Sequence, residues 1–108
     1  METKAKHCVP CSGDVPALNE KEEDRYMEDL SGWELDRGDT HTISKTFTFS
    51  DFREAVNFVN QVAALANKEE HHPDITINYN KVGITLYTHK IGGLHQNDFI
   101  MAEKLDEL

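Results

Sequence analysis

The stretch Ile75-Thr76-Ile77-Asn78-Tyr79-Asn80-Lys81-Val82-Gly83-Ile84-Thr85-Leu86 decides the fold. Ile75, Ile77 and Tyr79 alternate with polar residues, and Val82, Ile84 and Leu86 alternate with Gly83, Thr85 and Tyr87. Successive side chains of a strand point to opposite faces, so this period of two predicts two half-buried strands. Asn80-Lys81 between them is a candidate two-residue hairpin turn. That turn pairs Tyr79 with Val82, Ile77 with Ile84, Ile75 with Leu86 and His72 with His89. Ile75, Ile77, Tyr79, Val82, Ile84 and Leu86 then face a core. His72, Thr76, Asn78, Thr85, Tyr87 and His89 share the other face.

Upstream, Phe52, Ala55, Val56, Val59, Val62, Ala63 and Ala66 recur at helical spacing, with Ser50 as candidate N-cap. The helix is expected to end near Glu69 or Glu70, because Pro73 disfavours helical geometry at His72. Further upstream, Trp33 to Asp36 and His41 to Phe49 flank the turn-rich Arg37-Gly38-Asp39-Thr40 and predict another hairpin. Ala17 to Leu30 is acidic and reads as a short surface helix anchored by Leu18, Tyr26, Met27 and Leu30. Downstream, Gly92-Gly93 breaks the chain before a last helix from Asp98 to Leu108 carrying Phe99, Ala102 and Leu105. The order αββαββα predicts an α+β domain over residues 17–108, a four-stranded antiparallel sheet with helices packed on one face. Residues 1–16 are expected to form an irregular N-terminal arm.

A chain of 108 residues has room for one modest core, and oligomerisation is a natural way to stabilise it. The net charge of -9 argues against nucleic-acid binding, which needs clustered Lys and Arg. No apolar run reaches membrane-spanning length and the N-terminus has no signal-peptide pattern. Cys8 and Cys11 are too few and too close for a disulfide framework and are expected to be free thiols on the arm. A reducing, cytoplasmic setting follows as the expectation.

The histidines carry the chemistry. His72 and His89 are expected to meet at the open end of the second hairpin, with His71 at the adjoining helix-to-strand junction. Imidazole transfers protons near neutral pH. A dehydration needs a base for one proton and an acid for the departing hydroxyl, and two or three imidazoles supply both without a cofactor. Each histidine alone fits an ordinary loop or solvent-facing position; together they point to a site. Zinc ligation is the weaker alternative, since no HExxH spacing is present, and no metal is expected.

The run His71-His72-Pro73-Asp74, then Tyr79-Asn80-Lys81-Val82, Thr88-His89, Gly92-Gly93-Leu94 and Asp98 resembles the pterin-4a-carbinolamine dehydratase signature. The resemblance extends upstream through Leu30-Ser31-Gly32-Trp33 and the helix from Ser50, covering about residues 17–108. It implies dehydration of a 4a-hydroxytetrahydropterin, the product of aromatic amino acid hydroxylases, to the quinonoid dihydropterin. It also implies His71, His72 and His89 as acid–base residues with Asp98 in support, Pro73 and Asp74 at the substrate, and a homodimer or homotetramer. Functional coupling to such a hydroxylase follows from the same resemblance. Two positions depart from the family pattern. Asn67 stands where an acidic residue is usual, and His95 where a Ser or Thr cap is common.

Several readings stay open on the residues alone. Asp98 suits both a helix-capping and a catalytic-support role. Tyr79 and Trp33 read as core aromatics. A pterin-binding or oligomerising module with little turnover, or a role in another pterin pathway such as molybdopterin metabolism, remains as the alternative function.

Overall fold

The computed structural model describes residues 16–108, so the expected arm up to residue 15, with Cys8 and Cys11, lies outside the described residues. The elements are α1 (Glu20–Met27), β1 (Glu34–Arg37), β2 (His41–Thr48), α2 (Phe52–Glu69), β3 (Asp74–Asn78), β4 (Lys81–Leu86) and α3 (Gln96–Asp106). A short 3-10 turn at His89–Ile91 links β4 to α3. The strands form one antiparallel sheet in the order β1-β2-β4-β3. This is the αββαββα, α+β architecture that the alternation and the helical spacing predict.

The core lies between one face of the sheet and the helices. Ile43, Val82, Ile84 and Leu86 meet Ala55, Phe58, Val62 and Ala66 of α2 and Phe99, Met101, Ala102 and Leu105 of α3. Each large aliphatic buried this way contributes roughly 1.5–3 kcal/mol relative to exposure. Trp33 is buried as expected, and its indole Nε1 donates to Asp106 Oδ2 at 3.0 Å. Lys45 reaches Asp106 Oδ1 at 2.7 Å, so one carboxylate at the end of α3 gathers the sheet and the entry to β1. At the other side, buried Glu23 of α1 accepts from Arg37 Nε at 2.9 Å and contacts His41 Nδ1 at 2.7 Å.

The opposite face of the sheet carries Ser44, Thr46, Thr76 and Thr85 around an open cleft of about 430 Å³. Gly83 belongs there for a steric reason, because a Cβ would sit 2.6 Å from Thr76 Oγ1.

The hairpin of β3 and β4 turns one position earlier than expected. Asn78 pairs with Lys81, Ile77 with Val82 and Ile75 with Ile84, so the loop is Tyr79-Asn80. Asn80 is committed elsewhere. Its Nδ2 donates to Phe49 O, and its carbonyl accepts from Phe49 N–H, both at 2.8 Å. Tyr79 therefore takes the left-handed turn position, with φ of 55°, and its ring is 64% exposed rather than in the core. Each pairing moves by two residues, which preserves parity, and Ile75, Val82, Ile84 and Leu86 keep their expected face.

Two further expectations are corrected. Asp51, not Ser50, caps α2 by accepting from Glu54 N–H at 2.9 Å, while Ser50 Oγ donates to Glu54 Oε1 at 2.6 Å. The buried stripe of α2 runs Ala55, Phe58, Val62, Ala66 and Glu69, whereas Phe52 in the first turn is 52% exposed.

Candidate active site

The end of α2 sets the site. Glu70 adopts φ of 54° and ψ of 38°, the left-handed geometry that ends a helix, and its N–H is bonded to Ala66 O. The N–H of His71 also donates to Ala66 O, at 3.1 Å. Pro73 then forbids helical continuation, and the chain leaves as β3 from Asp74. This reversal carries His71 across to the start of α3.

There His71 Nε2 lies 2.6 Å from Asp98 Oδ1. Asp98 is completely buried and the His71 side chain is 10% exposed. The second oxygen, Asp98 Oδ2, accepts from Thr88 Oγ1 and from His95 N–H, each at 2.9 Å. Convergence of donors on both oxygens suits a carboxylate, which only accepts. Against such an acceptor His71 donates from Nε2, and in the neutral ring Nδ1 is then the basic nitrogen. Among the described residues, that nitrogen has no hydrogen-bond partner.

Asp98 is also the third residue of α3, and its bond to the His95 amide is one half of a capping box. A single carboxylate thus anchors the helix and holds the imidazole. At low dielectric such a charge-assisted contact is stronger than one in water.

His95 occupies the cap position. Its Nδ1 accepts from Asn97 N–H at 3.0 Å. Burial lowers its pKa below the ordinary histidine value; the Asp98 charge opposes that shift, and His71 adds to it.

His72 points elsewhere. Exposed, it donates from Nε2 to Asn67 Oδ1 at 3.0 Å, one turn back on α2. Asn67 thus supplies a neutral oxygen where a carboxylate would supply an anionic one. Pro73 is half-buried beside it, and Asp74 is exposed at the start of β3, paired with Thr85.

The expected pairing of His72 with His89 does not form. β3 starts at Asp74 and β4 stops at Leu86, so neither histidine lies in a strand. Thr88 bridges to Gly93, and His89 opens the 3-10 turn instead. His89 is exposed with its ring 4.1 Å from that of Tyr87, which leaves the polar sheet face and packs against the core. The structure therefore joins His71 to Asp98, ties His72 to Asn67, and sets His89 beside Tyr87 at the residue following Thr88.

The role of Thr88 escapes the strand reading, whereas His95 stands at the cap position that the family resemblance marked. Thr88 had a signal, since it continues the core parity of Val82, Ile84 and Leu86 with a polar, buried side chain. A hydroxyl at a core position needs a partner, and Asp98 is that partner. Among the described residues, no group of His, Cys, Asp and Glu is placed to hold a metal ion. No described helix is long and apolar enough to cross a membrane.

Comparison with known proteins bears on the chain as a whole. A family model described as Pterin 4 alpha carbinolamine dehydratase matches residues 16–108. A relative from Rubrobacter xylanophilus, provisionally named a pterin-4-alpha-carbinolamine dehydratase, is 46% identical over 99% of this chain and 98% of its own. A similarly named protein from Nitrosospira multiformis is 45% identical over 95% of this chain and 88% of its own. The crystal structure of a transcriptional coactivator/pterin dehydratase from Brucella melitensis superposes with a TM-score of 0.79 at 36% identity, covering 84% of this chain and 96% of that one. A pterin dehydratase-like protein identified as a RuBisCO assembly factor shares the fold at a TM-score of 0.61 and 23% identity, covering 71% and 88%.

Proposed function

Since this chain belongs to the pterin 4 alpha carbinolamine dehydratase family, we propose that it catalyses the loss of water from a 4a-hydroxytetrahydropterin by histidine acid–base chemistry. The observation that carries the proposal is the His71–Asp98 contact at 2.6 Å, with the second carboxylate oxygen held by Thr88 and His95. Holding Nε2–H in this bond presents Nδ1 of His71 as the proton acceptor. His71 takes the ring N–H proton of the substrate, the C–N bond gains double-bond character, and the hydroxyl on the adjacent carbon leaves as water after gaining a proton. His72 and His89, both exposed, are the proton donors in this reading, and Pro73 and Asp74 contact the pterin. Asp98 supports the base rather than touching substrate. The product is the quinonoid dihydropterin, which suits a role in recycling the tetrahydropterin used by an aromatic amino acid hydroxylase. No resident cofactor is needed.

In the same reading the protein is cytoplasmic and acts as a homodimer or homotetramer. The exposed side chains of Ile77, Tyr79 and Phe52 support self-association, and light scattering tests it.

A stopped-flow dehydration assay decides the main proposal. Fast turnover by the wild type, lost in folded His71→Ala and His89→Ala, is the expected result. No acceleration by folded wild-type protein overturns it. A second reading, a pterin-binding module with little turnover, is favoured by the neutral partner that Asn67 gives His72. Tight pterin binding with negligible turnover is its signature.

A further inference from the structure

His95 stands outside the histidines of the family signature, yet it is the residue through which α3 meets the site. Its main chain and its side chain do different work. The His95 N–H donates to Asp98 Oδ2 at 2.9 Å, and the His95 carbonyl accepts from Asp98 N–H at 3.0 Å. The ring then closes the helix end, with Nδ1 accepting from Asn97 N–H at 3.0 Å. An acceptor on Nδ1 requires that nitrogen to be unprotonated, so the cap exists only while the ring is neutral with its proton on Nε2.

We propose that His95 is a positioning residue of this site: by capping α3 through Nδ1 it holds the helix end that aims the Asp98 carboxylate at His71. The proposal deepens the dehydratase reading and rests on it for its effect on turnover, although its structural part stands without catalysis. A serine or threonine cap would hold the helix at every pH. An imidazole cap holds it only when uncharged, and the titratable groups that face the ring oppose each other. Asp98, from its own helix, favours the imidazolium; His71, from the junction of α2 and β3, disfavours it. Burial adds to the second effect and outweighs the first, which keeps the cap closed below the pH at which an ordinary histidine charges. Acid strong enough to charge the ring breaks the bond to Asn97, frees the first turn of α3, and loosens Asp98 from His71. The site then carries an acid-sensitive element beside its base, at a residue that the proton-transfer steps do not use.

The test uses full-length protein with ¹⁵N-labelled histidine, and compares the wild type with His95→Ala and His95→Ser. Serine restores a cap without a ring. In the wild type the His95 Nδ1 resonance is expected in the unprotonated range and the His71 Nε2–H resonance protected from exchange. His95→Ala should broaden the His71 signal and, in the dehydration assay, lower kcat roughly tenfold with KM within about twofold, the pattern of a misplaced catalytic group. His95→Ser should recover both, and should keep the His71 signal to lower pH than the wild type does. An unchanged His71 resonance in His95→Ala, with only the melting temperature reduced, would make His95 a structural cap and overturn the proposal. A protonated Nδ1 in the wild type would overturn it as well. The resonances need no substrate, so an inactive wild type would sink the dehydratase reading while leaving this test decisive.

Discussion

Asp98 and His71 lie 27 positions apart in sequence, and their side chains meet at 2.6 Å through a carboxylate that is itself part of the α3 capping box. Helix anchor and histidine partner are therefore one group. Asp98→Asn keeps the shape and removes the anion. Its amide must turn an N–H2 either toward His71 or toward Thr88 and His95, all of which are donors in this arrangement. We expect kcat to fall about a hundredfold, within the range associated with general acid–base catalysis. Steady-state kinetics beside a thermal melt checks this, and a drop in melting temperature alone would contradict it.

Asn67→Asp tests the other histidine. The substitution puts an anion on the oxygen that accepts from His72 Nε2 at 3.0 Å. Charge-assisted hydrogen bonds are about twice as strong as neutral ones and favour the protonated ring, so a few-fold rise in kcat is expected if His72 donates the proton. Unchanged kinetics would remove His72 from the proton path.

Glu70 is a non-glycine residue at φ of 54°. Replacing it with Gly relieves the steric cost of left-handed geometry, and stability should rise by roughly 1 kcal/mol, less the added backbone entropy of the unfolded chain. Urea denaturation measures it. A loss of stability would mean that the Glu70 side chain contributes more than its backbone costs.

Stability should also depend on His95 and pH in a defined direction. Its folded-state pKa lies below the ordinary value of 6.5, so between the two values the unfolded chain binds the extra proton. Its contribution is whole above the unfolded value, and falls as pH drops from there toward the folded one. Melting temperatures measured downward from pH 7 should therefore decline less in His95→Ser than in the wild type. Parallel curves would refute the assignment.

The sheet was legible because alternation is local. Val82, Ile84 and Leu86 declare their face whatever the turn does, and even the displaced pairing left their parity intact. The turn itself was not legible. Its position depends on Asn80 being bound to Phe49, 31 residues away, a tertiary contact that no local preference records. The site divides in the same way. His71 and Asp98 stand out as residue types, but the expected meeting of His72 with His89 extrapolated strands that stop at Asp74 and Leu86. Burial of Asp98, and the donors around it, follow from how α3 packs, which spacing does not encode.

The amide of His71 is bonded to Ala66, so the proposed base is wired into the last turn of α2. Helix ends open more readily than whole domains. Fraying of that turn would withdraw His71 from Asp98, and turnover by the proposed enzyme would then gauge sub-global opening. Warming should then erode activity ahead of the main unfolding transition, in step with hydrogen exchange at this one amide.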